Sequence, residues 1–118
     1  MADAALFVGW GEPVRGREGP GLQVFNEALE YDARLQQEGQ IESFEAVLLD
    51  AHGGDLAGFV LLRGTPEQID AVQRDPEFER QVVRAGMIVQ SLGVVRGFIG
   101  EGLGRQVALY QEAIGDLT

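Results

Sequence analysis

The stretch Ile41-Glu42-Ser43-Phe44-Glu45-Ala46-Val47-Leu48-Leu49-Asp50-Ala51-His52-Gly53-Gly54-Asp55-Leu56-Ala57-Gly58-Phe59-Val60-Leu61-Leu62-Arg63 decides how this chain is read. Ile41 to Asp50 is rich in β-formers, Asp50 to Asp55 is turn chemistry, and Leu56 to Arg63 returns to β-type residues, which together predict a β-hairpin. With Asp50 set opposite Asp55, one face carries Phe44, Leu48, Phe59 and Leu61, and the other carries Ser43, Glu45, Val47, Gly58 and Val60. Strand side chains alternate with period two, so a slip of one residue would mix these sets.

Upstream, Leu22, Phe25, Ala28, Leu29 and Leu35 recur at helical spacing, predicting a helix over Leu22 to Glu38 with Gly39 at its C-terminal cap. Ala5 to Trp10 is a short β-type run, and Gly11 to Gly21 has no hydrophobic periodicity and reads as a loop. Downstream, Thr65-Pro66-Glu67-Gln68 is a helix start, with threonine at the N-cap, proline at the first position and glutamine completing a capping box. Asp75-Pro76 repeats the cap-then-proline pattern and predicts a break, after which Phe78, Val82, Ala85 and Val89 form one stripe. Leu92 to Ile99 reads as a fourth strand. Gly100 to Gly104 reads as a loop before a last helix carrying Leu103, Val107, Tyr110, Ile114 and Leu117.

The order β-α-β-β-α-β-α over a single domain, 1–118, is the split βαβ pattern of the α+β ferredoxin-like fold with an extra C-terminal helix and a four-stranded antiparallel sheet. The stretch from Thr65 to Phe78, with its proline-started helix and its Asp75-Pro76-Glu77-Phe78 break, resembles the dimeric α+β barrel superfamily, which includes muconolactone isomerase-like, EthD-like and antibiotic-biosynthesis-monooxygenase-like proteins. The resemblance extends over nearly the whole chain in element order, but no residues match the catalytic pattern of a characterised member. It implies a cavity between sheet and helices, used by relatives for cofactor-free oxygenation, isomerisation or cyclisation of apolar aromatic substrates. Independently, both faces of the strands are apolar (Leu6, Val8 and Trp10 against Phe7; Val94 and Phe98 against Val95 and Ile99), so a bare sheet face would be a large apolar patch. Pairing sheet face to sheet face in a homodimer would cover it.

Composition narrows the chemistry. The 118 residues include 9 basic and 19 acidic side chains, a formal charge of −10, which argues against nucleic acid or an anionic membrane surface as partner. There is no cysteine, so disulfides, thiolate metal sites and thiol nucleophiles are excluded. All 9 basic residues are arginine, and the 17 glycines are about twice the average share. The start, Met1 to Val8, carries Asp3 where a secretory signal needs positive charge, and a cytoplasmic location is expected.

Chemistry therefore rests on carboxylates, arginines, aromatics and one histidine. His52 is of the residue type suited to proton transfer near neutrality, but it sits in a Gly-Gly hairpin tip. Glu45 and Arg96 are charges placed in mid-strand, and both would border a cavity between sheet and helices; the competing reading is an edge-strand charge or an inter-subunit ion pair. Trp10 and Tyr31 join an apolar body to a polar tip, and Arg63 ends a strand; these three are candidate ligand contacts. The glycine-rich loop with Arg15 and Arg17 precedes a helix, the position of an anion site, but it matches no phosphate-loop spacing and reads rather as a flexible flap over the end of the sheet. No metal-ligand set and no cofactor are expected. Three function classes remain: a small-molecule-binding protein with or without catalysis, a dimeric ligand-sensing module, and a structural interaction protein.

Overall fold

The computed structural model describes residues 2–118, with the elements β1 (Ala4–Trp10), α1 (Glu18–Gln37), β2 (Ser43–Leu48), β3 (Gly58–Gly64), α2 (Pro66–Arg74), α3 (Pro76–Gly86), β4 (Gly93–Phe98) and α4 (Gly100–Leu117). The strands form one antiparallel sheet in the order β2-β3-β1-β4. This is the arrangement expected when two βα crossovers flank a central hairpin.

Local chemistry sets the helix between β3 and β4. Thr65 Oγ1 accepts from the Gln68 amide at 3.1 Å, while Gln68 Oε1 accepts from the Thr65 amide at 2.8 Å, so two of the orphan amides at the start of α2 are satisfied reciprocally. Gln68 also donates from Nε2 to the Gly39 carbonyl at 3.1 Å, tying α2 to the end of α1. At Asp75 the backbone turns extended, with φ −69° and ψ 122°, which ends α2. Its carboxylate then caps α3 by accepting from the Glu77 amide at 3.1 Å, and Pro76 takes the first helical position, where no amide is needed.

The core lies between one sheet face and the three helices α1, α2 and α3. Leu6 and Ile69 are fully buried, and Leu62, Ile41, Tyr31, Leu35, Val72, Val60 and Phe78 complete the cluster. Ala4, Leu6, Val8 and Trp10 of β1 point to this side, so Ala5, Phe7 and Gly9 belong to the outer face.

Three expectations are corrected. The hairpin pairs Ser43 with Arg63, Glu45 with Leu61 and Val47 with Phe59, one residue away from an Asp50–Asp55 register. The strands end at Leu48 and Gly58, and the wide loop between them is held by Leu49 N–H donating to the Ala57 carbonyl (2.9 Å) and Ala57 N–H to the Trp10 carbonyl (2.7 Å), so the turn residues do not set the register. Phe44 and Leu48 therefore share the core side with Val60 and Leu62, whereas Ser43, Glu45 and Val47 lie outside with Phe59 and Leu61. Second, α1 begins at Glu18, four residues before the apolar stripe, with Gly19-Pro20-Gly21 inside the helix. Proline is tolerated there because first-turn amides have no intrahelical acceptor, and the acidic Glu18 suits the positive end of the helix dipole. Third, α4 begins at Gly100, with Ile99 as its N-cap, so the stretch read as a loop is the first turn of the helix.

Candidate functional site

A cavity of about 390 Å³ opens where β1 ends. Its floor is Val8 and Trp10 of β1 with Val60 of β3. The first half of α1 forms one wall through Leu22, Phe25 and Ala28, and Ala85, Ile88 and Val89 at the end of α3 form the other. Trp10 meets Phe25 edge to face, with ring centroids 5.7 Å apart. Glu18, at the rim, is the only charged residue of the lining, and its carboxylate accepts from the Gly16 amide at 3.1 and 3.3 Å. The side chains that line the site are thus apolar apart from the Glu18 carboxylate and the polar tip of Trp10.

A strap closes one edge. Gly11 N–H donates to the Gln90 carbonyl (2.7 Å), Gln90 N–H to the Glu12 carbonyl (2.9 Å) and Val14 N–H to the Ile88 carbonyl (2.6 Å). The segment after β1 is therefore fastened to the chain following α3, through the isolated bridge Pro13–Val89. The flexible-flap reading of Gly16 to Gly21 is corrected by α1, whose first turn takes up Glu18 to Gly21, while backbone hydrogen bonds hold the segment before it. A side chain at Gly11 would collide with the Asp55 and Gln90 carbonyl oxygens, so only glycine lets the strap lie this close.

Of the residues singled out in the sequence, Trp10 lines the cavity. Tyr31 does not: it is buried in the core, its hydroxyl donates to Asp75 Oδ2 at 2.5 Å, its ring stacks on Phe78, and Arg34 lies 5.3 Å over its face. Burial, followed by the bond to Asp75, pushes its phenol far above the ordinary range. Tyr31 therefore clamps the α2–α3 break.

Glu45 and Arg96 are not brought together. Glu45 lies on the outer sheet face, where it accepts from Arg63 Nη2 at 2.9 Å, so these two candidates form an exposed strand pair. The one-residue register difference is what moves Glu45 away from the helices. Arg96 is on the helix side, paired with Asp70 of α2 and directed at the Pro66 carbonyl (3.4 Å), which ties β4 to α2. His52 is exposed in the loop after β2 and is absent from the cavity lining. Arg15 and Arg17 are exposed just before α1, and Arg17 is its N-cap residue without a side-chain cap bond. Glu18 already supplies a carboxylate to an amide of this loop.

The sequence reading missed Asp32. Only 5% exposed, it sits on the inner side of α1 between Ala28 and Leu35, and burial pushes its carboxyl up to about 7. The stripe Phe25, Ala28, Leu35 leaves one vacant helical position, and that position is 32. Among the described residues, no three His, Cys, Asp or Glu side chains cluster so as to hold a metal ion, and no helix is long and apolar enough to cross a membrane.

No protein-family model matches the chain, and no curated protein does. Solved structures do. A dimeric ferredoxin-like protein of unknown function from Jannaschia sp. CCS1 superposes with a TM-score of 0.61 at 13% identity, covering 82% of this chain and 98% of that one. A dimeric protein of unknown function and ferredoxin-like fold from Bacteroides fragilis NCTC 9343 gives 0.58 at 13% identity, covering 81% and 96%. SnoaB, a cofactor-independent oxygenase from Streptomyces nogalater, gives 0.51 at 17% identity, covering 84% and 93%. Likeness at these identities concerns backbone architecture, and the chain accordingly has the ferredoxin-like fold of the Jannaschia and Bacteroides proteins.

Proposed function

We propose that this chain forms a homodimer and binds a small, uncharged, largely apolar or aromatic ligand in the cavity over β1 and β3. The observation that carries the reading is the lining: a space of about 390 Å³, within the range of small-molecule sites, walled by aliphatic and aromatic side chains with one rim carboxylate. An anionic ligand entering it would lose hydration and meet only the Glu18 carboxylate, a charge of the same sign. The likeness to SnoaB makes cofactor-independent oxygenation the reaction class to test, beside isomerisation and cyclisation. The lining carries no ionisable side chain besides Glu18 to move a proton, which favours binding, as in a ligand-sensing module, over acid–base turnover.

Support for the dimer comes from the outer sheet face. Phe7 stacks on Phe59 with centroids 5.1 Å apart, Leu61 is half-buried, and Val95 is 58% exposed. Two same-fold structures are of dimeric proteins.

Trp10 is the single tryptophan and lies in the wall, so its fluorescence reads the site directly. Titration with the neutral probe N-phenyl-1-naphthylamine is expected to quench it saturably, and Ala28→Phe, which fills the space, is expected to abolish the quenching. Linear quenching unaffected by Ala28→Phe would overturn the ligand site. Light scattering of the full chain is expected to give the mass of two chains, and Leu61→Glu the mass of one.

A further inference from the structure

We propose that α4 is an arm that clasps a second copy of this chain, with the stripe Val107, Tyr110, Ile114 and Leu117 covered by that copy. The inference rests on the homodimer reading above and assigns to α4 a part in it that the sheet faces alone do not have.

The base of the arm is fixed. Asp3 extends the β1 ladder, donating its amide to the Gly64 carbonyl and accepting from the Ile99 amide, each at 3.2 Å. By strand alternation its side chain lies on the same side as Ala5 and Phe7, the outer face. The first turn of α4 presses on this segment: a Cβ at Gly102 would run into the Asp3 carbonyl oxygen, and one at Gly100 into that of Ala2. Arg105 Nη2 adds an ion pair to Asp3 Oδ2 at 3.5 Å. The helix thus leaves the body from the outer side of the sheet, in a direction set by backbone contact.

Beyond Arg105 the helix projects. Val107, Tyr110, Ile114 and Leu117 are 49%, 69%, 46% and 87% exposed and lie at three- and four-residue spacing along one side. The radius of gyration is 16.2 Å, against about 13–14 Å for a compact domain of this length. A projecting helix of this length, with Gly104 and Gly115 in it, is marginal in water unless its apolar side is packed.

The occupant is a second copy because the root of α4 packs on Asp3, whose side chain strand alternation puts with the outer face, so a dimer formed through that face brings each arm beside the partner. A two-fold axis facing the two sheets gives each copy an arm directed past its partner, and the contact closes on itself. The areas agree. With about 60–120 Å² for each large apolar side chain, the stripe and the sheet residues Phe7, Phe59, Leu61 and Val95 offer several hundred Å² per copy, toward the ~800 Å² per partner of a stable dimer.

Sedimentation equilibrium tests this on the full chain, on a chain ending at Arg105 that keeps the pinned turn, and on the full-length double variant Val107→Glu/Ile114→Glu. The dimer dissociation constant is expected to rise about 100-fold or more in both variants, roughly 3 kcal/mol. Far-ultraviolet helicity of the full chain is expected to fall on dilution together with the mass. Thermal melting monitored at Trp10 shows that the variants keep their core. A dimer of unchanged affinity in both variants overturns the clasp and leaves the sheet-face dimer standing; a monomeric full chain overturns both.

Discussion

Replacing Asp32 by asparagine should stabilise the protein at alkaline pH and do little at acid pH. The carboxyl is 5% exposed on the inner side of α1, and burial pushes it from an ordinary 3.8 up to about 7. A carboxylic acid whose folded value is raised binds its proton more tightly in the folded state. Below pH 4 both states are protonated and the residue makes no pH-dependent contribution. Between pH 4 and 7 the unfolded chain ionises while the folded one does not, so stability falls by about 1.4 kcal/mol per pH unit. Above pH 7 the full penalty is in place, on the order of 4 kcal/mol for a displacement of about three units. Asparagine has nearly the same shape and carries no charge, so it removes the penalty while keeping the packing. Urea unfolding at fixed protein concentration, followed by circular dichroism at pH 4, 6 and 8, should show the variant gaining stability over the parent progressively, by a few kcal/mol at pH 8. The other carboxylates are common to both chains and cancel in the difference. A difference constant with pH, or a less stable variant at pH 8, would refute the reasoning.

Tyr31→Phe removes the donor to Asp75 Oδ2 at the α2–α3 break and should lower stability by about 1–2 kcal/mol in the same urea assay; an unchanged midpoint would show the clamp to be idle. Thr65→Ala removes the hydroxyl arm of the capping box, leaving the backbone amide at 65 on Gln68 Oε1, and is expected to cost about 1 kcal/mol, read as a lower midpoint with unchanged slope. Gly102→Ala forces a Cβ onto the Asp3 carbonyl and should cost about 1–3 kcal/mol, whereas at Gly104 a Cβ meets open space and alanine should be neutral to slightly stabilising; equal effects on thermal melting would contradict the pinned first turn.

The elements written within a few residues were legible in the sequence: the Thr65 capping box, the Asp75-Pro76 break, and the helix–hairpin–helix order that yields the β2-β3-β1-β4 sheet. Caps and breaks depend on hydrogen bonds and backbone sterics between near neighbours, so residue identity decides them. The hairpin register did not follow from its turn residues, because the loop after Leu48 is wide and is held by the Trp10 carbonyl of a different strand. That single-residue difference sent Glu45 to the outer face with Arg63, while Arg96 found Asp70 across the helix layer, so two charges that looked alike in the sequence ended on opposite sides of the sheet. Asp32 left a trace as the missing member of an apolar stripe, but only packing shows that the vacancy is filled by a buried carboxyl. The cavity left no trace: Trp10, Phe25 and Ile88 are ordinary apolar residues in their own segments, and they enclose a space only because β1, α1 and the end of α3 meet there. The sequence by itself determined which segments become strands and helices and where the helices are capped and broken. The tertiary structure alone decided which side each strand presents and what meets around the empty space, because those outcomes depend on pairing between residues tens of positions apart, which no local preference encodes.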